Sequence, residues 1–229
     1  MKKIEIIILL LFILVLSVLA IIAPHLILIK NIDCQSQYGP CNTLINSAIS
    51  EVKKGNLRET NSSLRKVLDN NVFVREYRLH YTYPGNLEVY TLERNPRFSI
   101  ADSVSDNYYL VDYSGIILSV VEDTNLPKLT IDNGNAKIGE KVSQEQLFAL
   151  NILESIYSAY LPKSAVIEND HLVVELEDGV KIIFPLEGDK NVLVGSMFFI
   201  MSKLKSGEVT GSKVAIIDLQ YKSPVLTLQ

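Results

Sequence analysis

At 229 residues with a formal charge of −4, the chain has room for one or two domains and lacks the basic footprint of a nucleic-acid binder. Lys2, Lys3 and Glu5 give the first 29 residues +1, so of the total −4 the remainder carries −5, a mildly acidic body with scattered basic residues. Trp is absent, while the 11 tyrosines gather in segments that read as strands.

The run Ile6–Ile29 contains no Asp, Glu, Lys or Arg, and only Ser17, Pro24 and His25 interrupt its apolar side chains. About 20 such residues suffice for a helix to cross the hydrocarbon core, so the sequence predicts a bilayer-spanning helix over 6–29. Lys2 and Lys3 lie on one side of it and the body on the other. The positive-inside tendency then places residues 1–5 in the cytoplasm and everything after the helix outside. The alternative is a cleaved signal peptide ending at Val18-Leu19-Ala20. Signal cores are roughly 7–15 residues long, and this run continues well past Ala20. Both alternatives export the body, and the first makes it a single-pass protein of the cell membrane. No polybasic stretch borders the run to engage anionic lipid.

Leu28–Asp33 is a short strand candidate. Cys34 and Cys41 follow, separated by a Tyr38-Gly39-Pro40 turn; in an oxidising compartment such a pair suggests a disulfide, and two buried free thiols are the alternative. Two thiols without a nearby His do not make a four-ligand metal set. Asn42 can cap a helix whose Ile45, Ala48, Ile49 and Val52 repeat at i, i+3, i+4 and i+7, with Gly55 as its stop. A second helix is predicted over 61–68. Val72–Tyr83 and Leu87–Arg94 alternate as strands around Pro84-Gly85-Asn86. The order so far is β-α-α-β-β, a unit with helices on one sheet face.

Beyond Pro96 the character changes. Asn107–Asp112 and Ile116–Val121 read as strands around Tyr113-Ser114-Gly115, and Leu126–Ile131 as an extended segment. Ser143 with Gln146 forms a capping box for a helix burying Ala149, Leu153, Ile156 and Tyr160. Strands are expected at 165–167, 171–176 and 180–184, the last two joined by Asp178-Gly179. Asp189–Lys205 reads as a helix with Leu193, Met197, Ile200 and Leu204 inward, too short to cross a membrane. Val214–Leu219 and Pro224–Leu228 close the chain as strands. The expected fold class is α+β: a transmembrane helix, a β-α-α-β-β domain over 30–96, and a mixed β domain over 97–229 with helices on an antiparallel-rich sheet.

An anchor followed by β-α-α-β-β resembles a POTRA domain, and Tyr83-Pro84-Gly85-Asn86-Leu87-Glu88-Val89, running to Glu93-Arg94-Asn95-Pro96, resembles its closing signature. Tyr109–Gly115, Leu126-Pro127 and Ile217-Asp218-Leu219 are similar to the second domain of the FtsQ/DivIB cell-division proteins. The resemblance covers almost the whole chain. It implies a bitopic scaffold of the division septum, linking FtsB- and FtsL-like partners to septal peptidoglycan synthesis. The partner would add a strand to the last sheet edge, satisfying its unpaired N–H and C=O groups. The implied partner-binding set is Ile217, Leu219, Gln220, Tyr221, Ser223 and Val225, centred on Tyr221 and Ser223. Gln220 departs from the family, where Arg is usual, and Pro224 removes one edge donor. The resemblance also allows a POTRA-bearing envelope protein that handles secretion clients, for which the edge of Val72–Arg94 would matter more.

Catalysis finds little support in the residues. His25, His80 and His171 have no Cys, Asp or Glu at a triad or ligand spacing, and no G-x-S-x-G, H-E-x-x-H or phosphate-cradling loop occurs. Glu88, Glu93, Glu175 and Glu177 lie at alternating or turn positions, as solvated strand carboxylates do. Glu93-Arg94 reads as an ion pair at the domain junction, and Tyr77, Tyr81, Tyr83 and Tyr90 as sheet packing. No cofactor, metal or small-molecule substrate is expected.

Overall fold

The computed structural model describes residues 11–15, 17, 25–102, 107–131, 136–206 and 214–228. The expected tail 1–5 and residues 6–10, 16 and 18–24 of the expected span lie outside the described residues. Residues 11–15 and 17 are helical, and Leu11, Phe12, Ile13, Leu14 and Val15 are all exposed. No helix among the described residues is long and apolar enough to cross a membrane. Two compact units divide the chain between Arg94 and Asn95.

The first unit is built from β1 (Asn31–Ser36), β2 (Gly39–Pro40), α1 (Thr43–Ser50), α2 (Leu57–Asp69), β3 (Val74–Thr82) and β4 (Asn86–Glu93). Its sheet order is β2-β1-β4-β3, with β1 parallel and β3 antiparallel to β4. Asn42 caps α1 by accepting the Ile45 N–H at 2.9 Å, which satisfies one of the helix's orphan donors. Ile45, Ile49, Leu64 and Leu68 from the helices meet Leu87 and Val89 of β4 in one core. Ile29 is buried there too: its N–H donates to Gly55 O at 2.9 Å, and Leu57 N–H to Ile27 O at 2.8 Å. Residues 27–29 of the apolar run are therefore bonded into this unit. Cys34 and Cys41 are joined as a disulfide that ties β1 to the start of α1.

The second unit contains β5 (Pro96–Asp102), β6 (Tyr108–Asp112), β7 (Ile117–Val121), β8 (Lys128–Ile131), α3 (Gln144–Tyr160), β9 (Ser164–Glu168), β10 (His171–Glu175), β11 (Lys181–Pro185), α4 (Lys190–Lys205), β12 (Val214–Asp218) and β13 (Val225–Leu228). They form a nine-stranded sheet in the order β13-β12-β11-β10-β9-β8-β5-β6-β7. The pairs β5/β8, β8/β9 and β11/β12 are parallel and the rest antiparallel. The molecule is mixed α+β. The Ser143–Gln146 capping box forms as the sequence predicts, and Gly179 takes φ 84° in the β10–β11 turn, where a side chain would be strained.

Several elements differ from expectation: the first strand runs Asn31–Ser36 instead of Leu28–Asp33, and Gly39–Pro40, read as part of a turn, pairs with it as β2. The second helix starts at Leu57, not residue 61, because Asn56 caps it by accepting the Glu59 N–H at 2.9 Å. The strand β5 was not predicted, yet it lies inside the sheet with Phe98 and Ile100 buried. The inward stripe of α4 is Val194, Met197 and Met201; Leu193, Ile200 and Leu204 are only partly buried at its flanks.

Candidate partner-binding edge

The β12–β13 hairpin forms one end of the large sheet. Ile217 and Leu219 point into the core, and the Leu219 N–H donates to Ile183 O at 2.9 Å, carrying the β11–β12 alignment past the end of the strand. Asp218 Oδ1 accepts the Gln220 N–H at 3.0 Å, a local turn bond of the kind Asp favours. The chain then bends through Tyr221-Lys222-Ser223 and returns as β13, pairing Val225 with Asp218 and Leu226 with Ile217. Among the described residues, no strand pairs with the outer side of β13.

The six residues of the expected partner set divide cleanly. Ile217 and Leu219 are core residues, and their side chains offer no surface. Gln220 is half-buried, while Tyr221 (61% exposed), Ser223 and Val225 face solvent. Tyr221 and Val225 thus flank the open edge together.

Beside that edge the sequence reading missed a groove. Asn191, Val192, Gly195 and Phe199 of α4 and Pro224 and Leu226 of the returning chain border an open, mostly apolar groove of about 590 Å³. Val192 and Phe199 lie two helical turns apart on one stripe and are 62% and 63% exposed. The Lys203 ammonium sits 5.7 Å from the Phe199 ring centre, a cation–π contact at the groove's rim. The spacing Val192…Phe199 around Gly195 was the available signal: a second apolar stripe on a helix that already has one. Leu226 shares the helix-covered face with its cross-strand partner Ile217. A strand added to β13 would present every second side chain on that same face, over the groove.

The first unit has an open edge as well. β3 spans nine residues and has no strand on its outer side among the described residues. A shallow depression of about 600 Å³ next to it is lined by Glu76, Arg78, His80, Tyr90 and Leu92. Glu88 on that face accepts the Tyr90 hydroxyl at 2.7 Å and the Thr82 hydroxyl at 3.1 Å. These bonds, Tyr90's first, hold its carboxyl below the usual range and push the Tyr90 phenol up.

The remaining candidate groups are engaged locally. Arg58 Nη1 lies 3.0 Å from His25 Nε2. Glu175 pairs with Lys163 at 2.9 Å, which lowers its carboxyl. Glu93, expected in a junction ion pair with Arg94, directs Oε1 to the Asn42 N–H at 2.9 Å and so braces the start of α1. Tyr83 stands 85% exposed rather than packed on the sheet, because the strand ends at Thr82.

No protein-family model matches the chain, and no curated protein matches it. Among solved structures it is similar to POTRA domains 1–2 of the periplasmic domain of Omp85 from Anabaena, with 9% identity over 84% of this chain and 93% of that one. The TM-score is 0.27, too low to rest an argument on.

Proposed function

We propose that this chain is a membrane-anchored, non-catalytic interaction scaffold of the FtsQ/DivIB type that captures a strand of a division partner on β13. The observation that carries this reading is the one-sided pairing of β13 beside an apolar groove. An unpaired edge supplies backbone donors and acceptors, and the groove selects for apolar side chains at alternate positions. The resemblance of the motif order to the FtsQ/DivIB pattern supports an FtsB- or FtsL-like partner and the septal cell membrane as the site of action. The apolar run Ile6–Ile29 anchors the chain in the bilayer in this reading, and the exposed apolar side chains of Leu11–Val15 fit a lipid surround.

Tyr221 contributes a large amphipathic surface at the edge, of the type that dominates interface energetics. Pull-down of an FtsB-like partner by the full chain should weaken at least tenfold on Tyr221→Ala, and again when Val225→Lys places a charge on the edge. Undiminished capture by both variants would reject β13 as the docking edge.

The second reading is a POTRA-type docking module for secretion clients. The long free edge of β3 and the depression beside Tyr90 favour it. Capture blocked by a charge at exposed Leu92, with Val225→Lys silent, would select it instead.

A further inference from the structure

The sequence shows no polybasic stretch beside the apolar run, but the fold of the first unit assembles a basic end from four separate stretches. The Lys30 N–H donates to Gly85 O at 2.8 Å, fixing Lys30 against the Tyr83-Pro84-Gly85 turn. A Cβ on Gly85 would stand 2.7 Å from Leu28 O, so this close approach requires glycine. The Ile29–Gly55 and Leu57–Ile27 bonds bring the Lys53-Lys54-Gly55 loop and the start of α2 to the same place. Arg58 reaches back to His25 there.

Lys30, Lys53, Lys54 and Arg58 are all exposed at this end, against the carboxylates Glu51 and Glu59. The local balance is positive on a chain whose total charge is −4. Between the cations, Leu26, Leu28 and Tyr83 stand exposed at 74%, 66% and 85%. Cations interleaved with aliphatic and aromatic side chains suit a lipid headgroup layer, where ammonium and guanidinium groups meet phosphate and tyrosine sits at the polar boundary. The residues just before this end are the apolar run itself.

We infer that the end of the first unit carrying Lys30, Lys53, Lys54, Arg58 and Tyr83 docks on anionic phospholipid of the membrane that holds the anchor. The inference rests on the anchored reading above. Docking holds this end of the unit on the headgroup layer. Tyr38 is exposed in the β1–β2 turn at the opposite end of the sheet and serves as the control position.

The test reconstitutes the full chain into vesicles of phosphatidylcholine, with or without phosphatidylglycerol, and with a nitroxide on a small fraction of headgroups. A fluorophore is attached through Tyr83→Cys or Tyr38→Cys, the native cysteines being tied in their disulfide. Position 83 should be quenched, more strongly with phosphatidylglycerol, and position 38 spared. Lys53→Gln, Lys54→Gln and Arg58→Gln should each lower the docking equilibrium roughly five-fold. Equal quenching at the two positions, or quenching at 83 indifferent to phosphatidylglycerol, overturns the docking while the chain still floats with the vesicles. A chain that does not float overturns the anchor, and the docking falls with it.

Discussion

Gly195 lies in the middle of α4 with open space where a side chain would project. A helix-interior glycine costs about 0.5–1 kcal/mol relative to alanine, so Gly195→Ala should raise the stability of the second unit by that amount in denaturant unfolding. Gly195→Leu fills the groove without touching the core, so it should keep the stability and lose partner affinity. A destabilised Gly195→Leu protein would mean that the groove is less open than its geometry indicates. Glu88 offers a pH test in the first unit. Its folded-state value is depressed, so the stabilisation from the Tyr90 and Thr82 hydroxyls is present above the unfolded value and lost as pH falls through the folded one. NMR titration should find the Glu88 carboxyl below ordinary glutamates and moving upward in Tyr90→Phe; a midpoint unmoved by that change would remove Tyr90 as the cause. Asp112 closes the β6–β7 turn: although fully buried, it accepts the Ser114 and Ile116 N–H groups at 2.9 and 2.8 Å.

Caps and hairpin turns were the most legible elements, because their hydrogen bonds close within a few residues: Asn42, Ser143–Gln146 and Asp178-Gly179 all act locally. The elements missed depend on tertiary packing. β5 does alternate over Arg97-Phe98-Ser99-Ile100, but the run is short and opens on Pro96; its middle is buried on both faces, with Ser99 enclosed and its hydroxyl donating to Pro127 O at 3.1 Å. The first turn of α2 hides a polar residue as well, with Thr60 buried and its hydroxyl accepting the Gly55 N–H at 3.0 Å, so periodicity alone placed the start too late. In α4 apolar side chains occupy more than one face, which let the inward stripe be misassigned and concealed the groove stripe. The disulfide belongs to this scale too. It closes a loop with a sequence separation of 7 and holds β1 to the entrance of α1. The chain-entropy estimate for so short a loop is about 2–3 kcal/mol. Thermal unfolding of the first unit should fall under reductant or in a Cys34→Ser, Cys41→Ser double variant, whereas an unchanged transition would show the loop to be held by its hydrogen bonds alone.

At the level of the whole molecule, composition and the apolar run bounded the reading, and the chain does form two units, divided at 94/95; Pro96 already pairs with Asp112 in the second. The sequence could not display the surfaces that matter most here. The groove joins α4 to the chain's last strand, and the basic end of the first unit gathers cations from positions 30 to 58 beside Tyr83. Both are completed by packing between segments distant in sequence; the Val192…Phe199 stripe was the one local sign of the groove. What the two open edges share is backbone without a strand partner among the described residues, and they differ in what lies alongside: a groove of apolar side chains at β13, a depression mixing Tyr77, Tyr90 and Leu92 with Glu76, Arg78 and His80 at β3. The proposed scaffold uses the first. Amide hydrogen exchange on the full chain, with and without an FtsB-like partner, compares the two edges in one measurement. The account predicts slowed exchange across Val225–Leu228 on partner binding, with the Val74–Thr82 edge unchanged. Protection at Val74–Thr82 with none at Val225–Leu228 would contradict it.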